Sequence, residues 1–124
     1  MSVSTLPFNP DDKILELGGG DRPLYHPNAD IRDLPNVDIV VDFNERLPVP
    51  NDSYKGVFCR YTVEHISWRR IRFFLSEIYR ILILGGKVVI VTANLLEQAR
   101  VLVSSPSDQW CDNYIGMIFG GQDY

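Results

Sequence analysis

The chain has 124 residues, 45% hydrophobic and 23% charged, with a formal net charge of −4 at pH 7. A chain of this length buries roughly two-thirds of its unfolded surface, and its composition is that of a folded globular domain. The acidic balance argues against a general nucleic-acid binder, and the apolar runs 81–84 and 88–91 are far too short to span a bilayer. Residues 1–12 carry no basic region followed by an apolar one, so no signal peptide and no membrane association are expected. Cys59 and Cys111 share no metal-ligand spacing; they read as reduced thiols in a cytoplasmic protein, and no metal is expected.

The first element is a short apolar run, residues 13–17, that stops at Gly18-Gly19-Gly20. This pattern predicts a strand entering a tight loop with exposed backbone. Pro23, Pro27 and Pro35 exclude a long helix in 21–36, leaving a very short strand over 29–31. Only nine residues separate Gly20 from Asp30, so any helix there has a turn or two at most. Residues 37–41 are rich in β-branched side chains and predict a strand ending at Asp42.

Pro48, Pro50 and Asn51-Asp52-Ser53 mark a loop, and 54–60 reads as a further strand. Ser67 is the expected N-cap of a helix in which Ile71, Phe74, Leu75, Ile78 and Leu82 recur at helical spacing. Gly85-Gly86 is expected to end that helix, and 87–92 to form a strand of a parallel sheet. Helices are expected near 95–102 and over 106–119, the second opening with Ser105-Pro106. Strands alternating with helices imply an α/β fold, a Rossmann-like three-layer sandwich with a mostly parallel sheet.

Three glycines after a strand let a ligand approach the backbone. Gly18 and Gly20 fit the first two positions of the dinucleotide fingerprint, but Pro23 stands where its third glycine packs helix against strand. No Gly-Lys-Ser/Thr follows, so a phosphate loop fails as well.

The segment Glu16-Leu17-Gly18-Gly19-Gly20 resembles the first motif of class I S-adenosylmethionine-dependent methyltransferases. Residues 42–54, with an acid, a Leu-Pro pair and a turn, are similar to the same stretch in type-11 members. Val63-Glu64-His65-Ile66 and the junction 77–90 extend the resemblance over roughly 13–94. Two departures stand out. Ile83-Leu84 replaces the usual Lys-Pro, and little chain remains after Thr92 for the last two strands of the family's seven-stranded sheet. The expectation is therefore one partial domain over 1–124, lacking those strands.

The resemblance implies S-adenosylmethionine as cofactor and a small-molecule methyl acceptor. It implies cofactor contacts from Glu16, Gly18, Gly19, Gly20, Asp30, Asp42, Phe43 and Arg60. Asp30 would meet the ribose hydroxyls, and Asp42 the adenine amine with Phe43 beside the ring. His65 is the candidate base, against the plainer reading of a structural hydrogen-bond partner at a helix start. The cluster Arg69, Arg70 and Arg72 reads as a solvated helix face, and Trp110 and Tyr114 as packing. Two other functions stay open: a truncated, non-catalytic domain serving as a binding or interaction module, and a dinucleotide-dependent oxidoreductase. A strand over 87–92 at a sheet edge, with Lys87 its one charge, predicts a homodimer.

Overall fold

The computed structural model describes residues 6–104. Five strands form one parallel sheet in the order β3-β2-β1-β4-β5. They are β1 Ile14–Leu17, β2 Asn28–Asp30, β3 Ile39–Val40, β4 Tyr54–Arg60 and β5 Leu82–Val91. Two helices follow the fourth and fifth strands, α1 Ile71–Ile81 and α2 Leu95–Ser104. This is the parallel, Rossmann-like α/β arrangement, with five strands among the described residues. The helix expected over 106–119 lies outside those residues.

Alternation along the central strands sorts the core into two faces. Leu15 pairs in register with Val57, and Leu17 with Cys59. All four are buried and pack in one cluster with Phe74, Ile78 and Ile81 of α1. On the opposite face Phe58 meets the Tyr25 ring edge-on at 5.7 Å, and Tyr25 meets Phe8 the same way at the same distance. A side chain on Gly56 would run into Ile14 and Phe8, so its absence lets residue 8 lie against the sheet.

Between β1 and β2 the chain makes only turns and bends, with no helix. The short, proline-bearing link requires this. Several strand and helix boundaries differ from expectation: β2 is shifted back by one residue, and β5 begins at Leu82 rather than at residue 87. β3 keeps only two residues, Ile39–Val40, and the Asp38 and Val41 amides donate to the Asn28 and Asp30 carbonyls of β2 at its two ends. Helix α1 starts at Ile71 with Arg70 as its N-cap, not Ser67. The Ser67 carbonyl instead accepts the Arg70 N–H (2.8 Å) in a preceding turn.

A further difference concerns Gly85-Gly86, which does not cap α1. The helix ends at Ile81, where the Asp52 and Ser53 amides donate to the Arg80 and Ile81 carbonyls (2.9 and 2.8 Å). Those two bonds satisfy carbonyls that a glycine cap would otherwise serve. The two glycines lie inside β5, at an irregularity where Tyr54 pairs with Leu82 but Gly56 pairs with Lys87. Gly85 has φ +80, a bulge conformation that a residue without Cβ adopts readily.

Candidate functional site

A cavity of about 530 Å³ opens at the carboxyl edge of the sheet. That is within the range of small-molecule sites, roughly 300–1,000 Å³. Its walls come from the first residues after four strands: Gly18 after β1, Asp30 to Arg32 at the end of β2, and Asp42 to Asn44 past β3. Tyr61 and Thr62 follow β4, with His65 and Ile66 in and just beyond the short 3-10 turn Val63–His65. Parallel sheets with crossovers place ligand crevices at this edge.

The glycine loop is built against β2. The Gly18 N–H donates to the Ala29 carbonyl (2.7 Å), Gly19 N–H to Asn28 Oδ1 (3.0 Å) and Gly20 N–H to Asp30 Oδ2 (3.0 Å). Asn28 Nδ2 returns a bond to the Gly20 carbonyl (2.9 Å). Three consecutive amides are thus already engaged, and no helix N-terminus follows them. A pyrophosphate site needs both, so this loop is no anion nest. Gly18 has φ +78, and a Cβ there would strike the Thr62 side chain. The Thr62 hydroxyl donates to the Leu17 or Arg60 carbonyl (3.2 and 3.1 Å), fixing the cavity floor.

Glu16 and Gly19 stand behind the cavity rather than on its wall. Glu16 is fully buried, and its Oε1 accepts the Leu24 and Tyr25 amides (2.8 and 3.1 Å), so it anchors the loop that replaces a helix. Burial raises its carboxyl above the ordinary value, outweighing those bonds and the charges of Arg60 and His26. A Cβ on Gly19 would collide with Glu16 Oε2 and Asn28 Oδ1. Gly20 (φ +61) and Arg60 are also off the wall. The Arg60 guanidinium lies over the Phe58 ring, 5.9 Å from its centroid, with a long contact to the Arg22 carbonyl (3.5 Å).

Asp30 is 3% exposed and lines the cavity. Burial alone would raise its carboxyl, but the Arg32 side chain and the Arg32 and Gly20 amides hold it below the ordinary range. Asp42 accepts the Asn44 backbone and side-chain N–H groups on Oδ1 (2.9 and 3.1 Å), leaving Oδ2 for another donor. Phe43 is nearly buried, its ring tilted against Phe74 at 5.5 Å, and forms an apolar wall. Tyr61 adopts φ 52, an uncommon conformation for an aromatic residue, and sits half-exposed at the mouth. Among the described residues no group of three or more His, Cys, Asp or Glu is placed to hold a metal ion.

Arg32, Thr62 and Ile66 are wall residues that sequence reasoning passes over. Arg32 carries a readable signal, an arginine two residues beyond the acid that ends a strand. Thr62 and Ile66 carry none, because their place depends on how the chain turns after β4.

Parallel strands in the order 3-2-1-4-5, with a crevice at their carboxyl edge, define a Rossmann-like ligand-binding protein. The methyltransferase domain family (type 11) matches residues 23–90, more than half of the chain. The chain belongs to this family, whose cofactor is S-adenosylmethionine. Among curated proteins none matches. Among solved structures, the complex between the Haloferax volcanii Trm112 methyltransferase activator and a candidate methyltransferase contains a chain similar at TM-score 0.57 and 17% identity. That likeness covers 82% of this chain and 54% of the other. The trans-methyltransferase CalH, in complex with SAH, is similar at TM-score 0.56 and 16% identity, covering 90% and 37%. The chain thus spans about half of the first relative and less of the second, and these likenesses speak to the fold.

The wall residues fit the family's cofactor. Adenosylmethionine carries an ammonium, a sulfonium, a ribose diol and an adenine amine, which call for acceptors, and a single carboxylate but no pyrophosphate, so it does not need an anion nest for phosphates. The cavity holds two carboxylates, Asp42 with Oδ2 open and Asp30 engaged by the Gly20 amide and by Arg32, beside the apolar aromatic wall of Phe43.

Proposed function

We propose that the chain forms the cofactor site of an S-adenosylmethionine-dependent methyltransferase acting on a small-molecule acceptor in the cytoplasm. One observation carries this reading: four strand ends converge on one cavity that presents Asp30 and Asp42, while the Gly18, Gly19 and Gly20 amides are already engaged within the protein. The same observation disfavours the dinucleotide-dependent oxidoreductase, whose pyrophosphate would lack donors.

When bound, adenosylmethionine supplies an electrophilic methyl group. Asp42 Oδ2 accepts from the adenine amine, and Phe43 walls the ring. Asp30 accepts from the ribose hydroxyls, and Gly18 lets the ligand approach the backbone. His65, on the wall, takes the proton from an acceptor O–H or N–H. The remaining contribution is alignment of nucleophile and methyl group, which supplies up to roughly 7–11 kcal/mol in well-oriented reactions.

A second reading, an interaction module, is favoured by β5. Among the described residues it is a sheet edge, with Leu84 fully exposed and Val88 and Ile90 partly so. The Haloferax relative is itself found with an activator protein. Calorimetric titration with adenosylmethionine, adenosylhomocysteine and NAD separates the readings. One-site binding of the first two without NAD supports a methyltransferase. No binding leaves the interaction module, and NAD binding alone overturns the proposal.

A further inference from the structure

The Asp30 carboxylate has about four lone-pair positions, and four donors occupy them. Oδ1 accepts the Arg32 backbone N–H and Nε (3.0 and 3.1 Å). Oδ2 accepts the Gly20 N–H and Arg32 Nη2 (3.0 and 3.2 Å). Two of these bonds come from the fixed backbone, and two from the guanidinium of a single side chain. The backbone pair cannot leave without unmaking the loop. The guanidinium can, because the Arg32 side chain is 61% exposed while that of Asp30 is 4% exposed.

The geometry points to Arg32 as an internal competitor for the ribose site: its guanidinium holds the two Asp30 positions that a ribose diol would take, and the cofactor must displace it. This rests on the reading of the cavity as an adenosylmethionine site. The two ligands of Asp30 match in form. A guanidinium edge presents two parallel N–H donors, and a cis-diol presents two neighbouring O–H donors, each spanning both carboxylate oxygens. Arg32 Nη2 is also the one heavy atom within 4 Å of a Cβ built on Gly20, so the side chain lies across the glycine loop. Asp30 and Arg32 both line the cavity, so a ligand that reaches the carboxylate from there meets the guanidinium already on it.

Competition of this kind lowers apparent affinity by the fraction of molecules with Arg32 in place. The pair is exposed on the arginine side, where such pairs contribute at most about 1 kcal/mol, so the expected effect is about three- to fivefold. Removing Arg32 should therefore tighten binding, the reverse of what loss of a ligand contact or of a structural prop would do.

The test is calorimetric titration of adenosylhomocysteine, whose uncharged sulfur removes simple repulsion between Arg32 and a sulfonium. Arg32→Ala and Arg32→Met should each bind about three- to fivefold tighter than the parent. In an Asp30→Asn background, where the competition has no object, Arg32→Ala should give no gain. Parent binding with unchanged or weaker binding in both Arg32 variants overturns the competitor role alone. A gain that persists in the Asp30→Asn background also overturns it, because the effect would then be one of general charge. Failure of parent and variants alike to bind takes down the cofactor reading and this inference together.

Discussion

Glu16 is a buried carboxyl whose Oε1 holds two loop amides while Oε2 is without a hydrogen-bond partner. Its folded pKa lies above the ordinary 4.5, chiefly because burial penalises the charge. A raised carboxyl favours folding below its unfolded pKa, and that contribution is lost as pH rises through the folded value. Glu16→Gln keeps the Oε1 acceptor and removes the titration. The variant should gain thermal stability relative to the parent as pH rises above about 4.5, and the gain should then level off. An offset between the two melting temperatures that is the same at acid and neutral pH would show that Glu16 does not titrate differently on folding.

A network of side-chain hydrogen bonds ties α1 to the segment between β3 and β4. Glu77 Oε1 accepts the Leu47 N–H (2.8 Å), and Arg80 bonds Glu77 through Nε and Nη2 (2.8 and 3.0 Å). Arg80 also donates to the Leu47 and Val49 carbonyls and to Asn51 Oδ1. Both side chains are largely buried, so removing one partner leaves an uncompensated charge. Arg80→Met should cost about 3 kcal/mol in denaturant unfolding near neutral pH. The Arg80 side chain holds the Glu77 carboxyl below its ordinary range, so its stabilisation is present above the unfolded pKa and lost as pH falls through the folded one. The variant's deficit should therefore shrink in acid. A cost under about 1 kcal/mol would mean that the segment finds other partners.

At this scale the sequence is legible where period and composition agree. β4 over 54–60 and the helical spacing from Ile71 onward match the observed β4 and α1. Boundaries set by hydrogen bonds from distant loops are not legible. The end of α1 depends on the Asp52 and Ser53 amides, so the nearby Gly85-Gly86 pair misleads. The site divides in the same way. Asp30 ends β2 and Asp42 lies just past β3, and their place at the carboxyl edge is readable. Glu16 follows the same logic on paper, yet the two-fold alternation of β1 turns its side chain behind the loop.

For the molecule as a whole, the exposed edge matters most. β5 runs ten residues at the sheet's rim among those described, with Lys87 as its one charge. Leu84, Val88 and Ile90 are exposed along it. Such an edge offers unpaired backbone groups to another chain. Light scattering at micromolar concentration should give about twice the 14.2 kDa chain mass, and Val88→Lys should return it to one. A parent that stays monomeric at high concentration would show that the edge is covered by other means.

On the proposed function, one cavity at the carboxyl ends of four parallel strands takes the adenosine and methionine portions of adenosylmethionine. The most direct measurement is an amide chemical-shift map of the isotope-labelled chain titrated with adenosylhomocysteine. The largest shifts should fall on Gly18, on Asp30 to Arg32, on Asp42 to Asn44 and on Tyr61 to Ile66, with β5 and the outer face of α1 unmoved. Saturable shifts confined to β5 or α2, or no shifts at millimolar ligand, would contradict it.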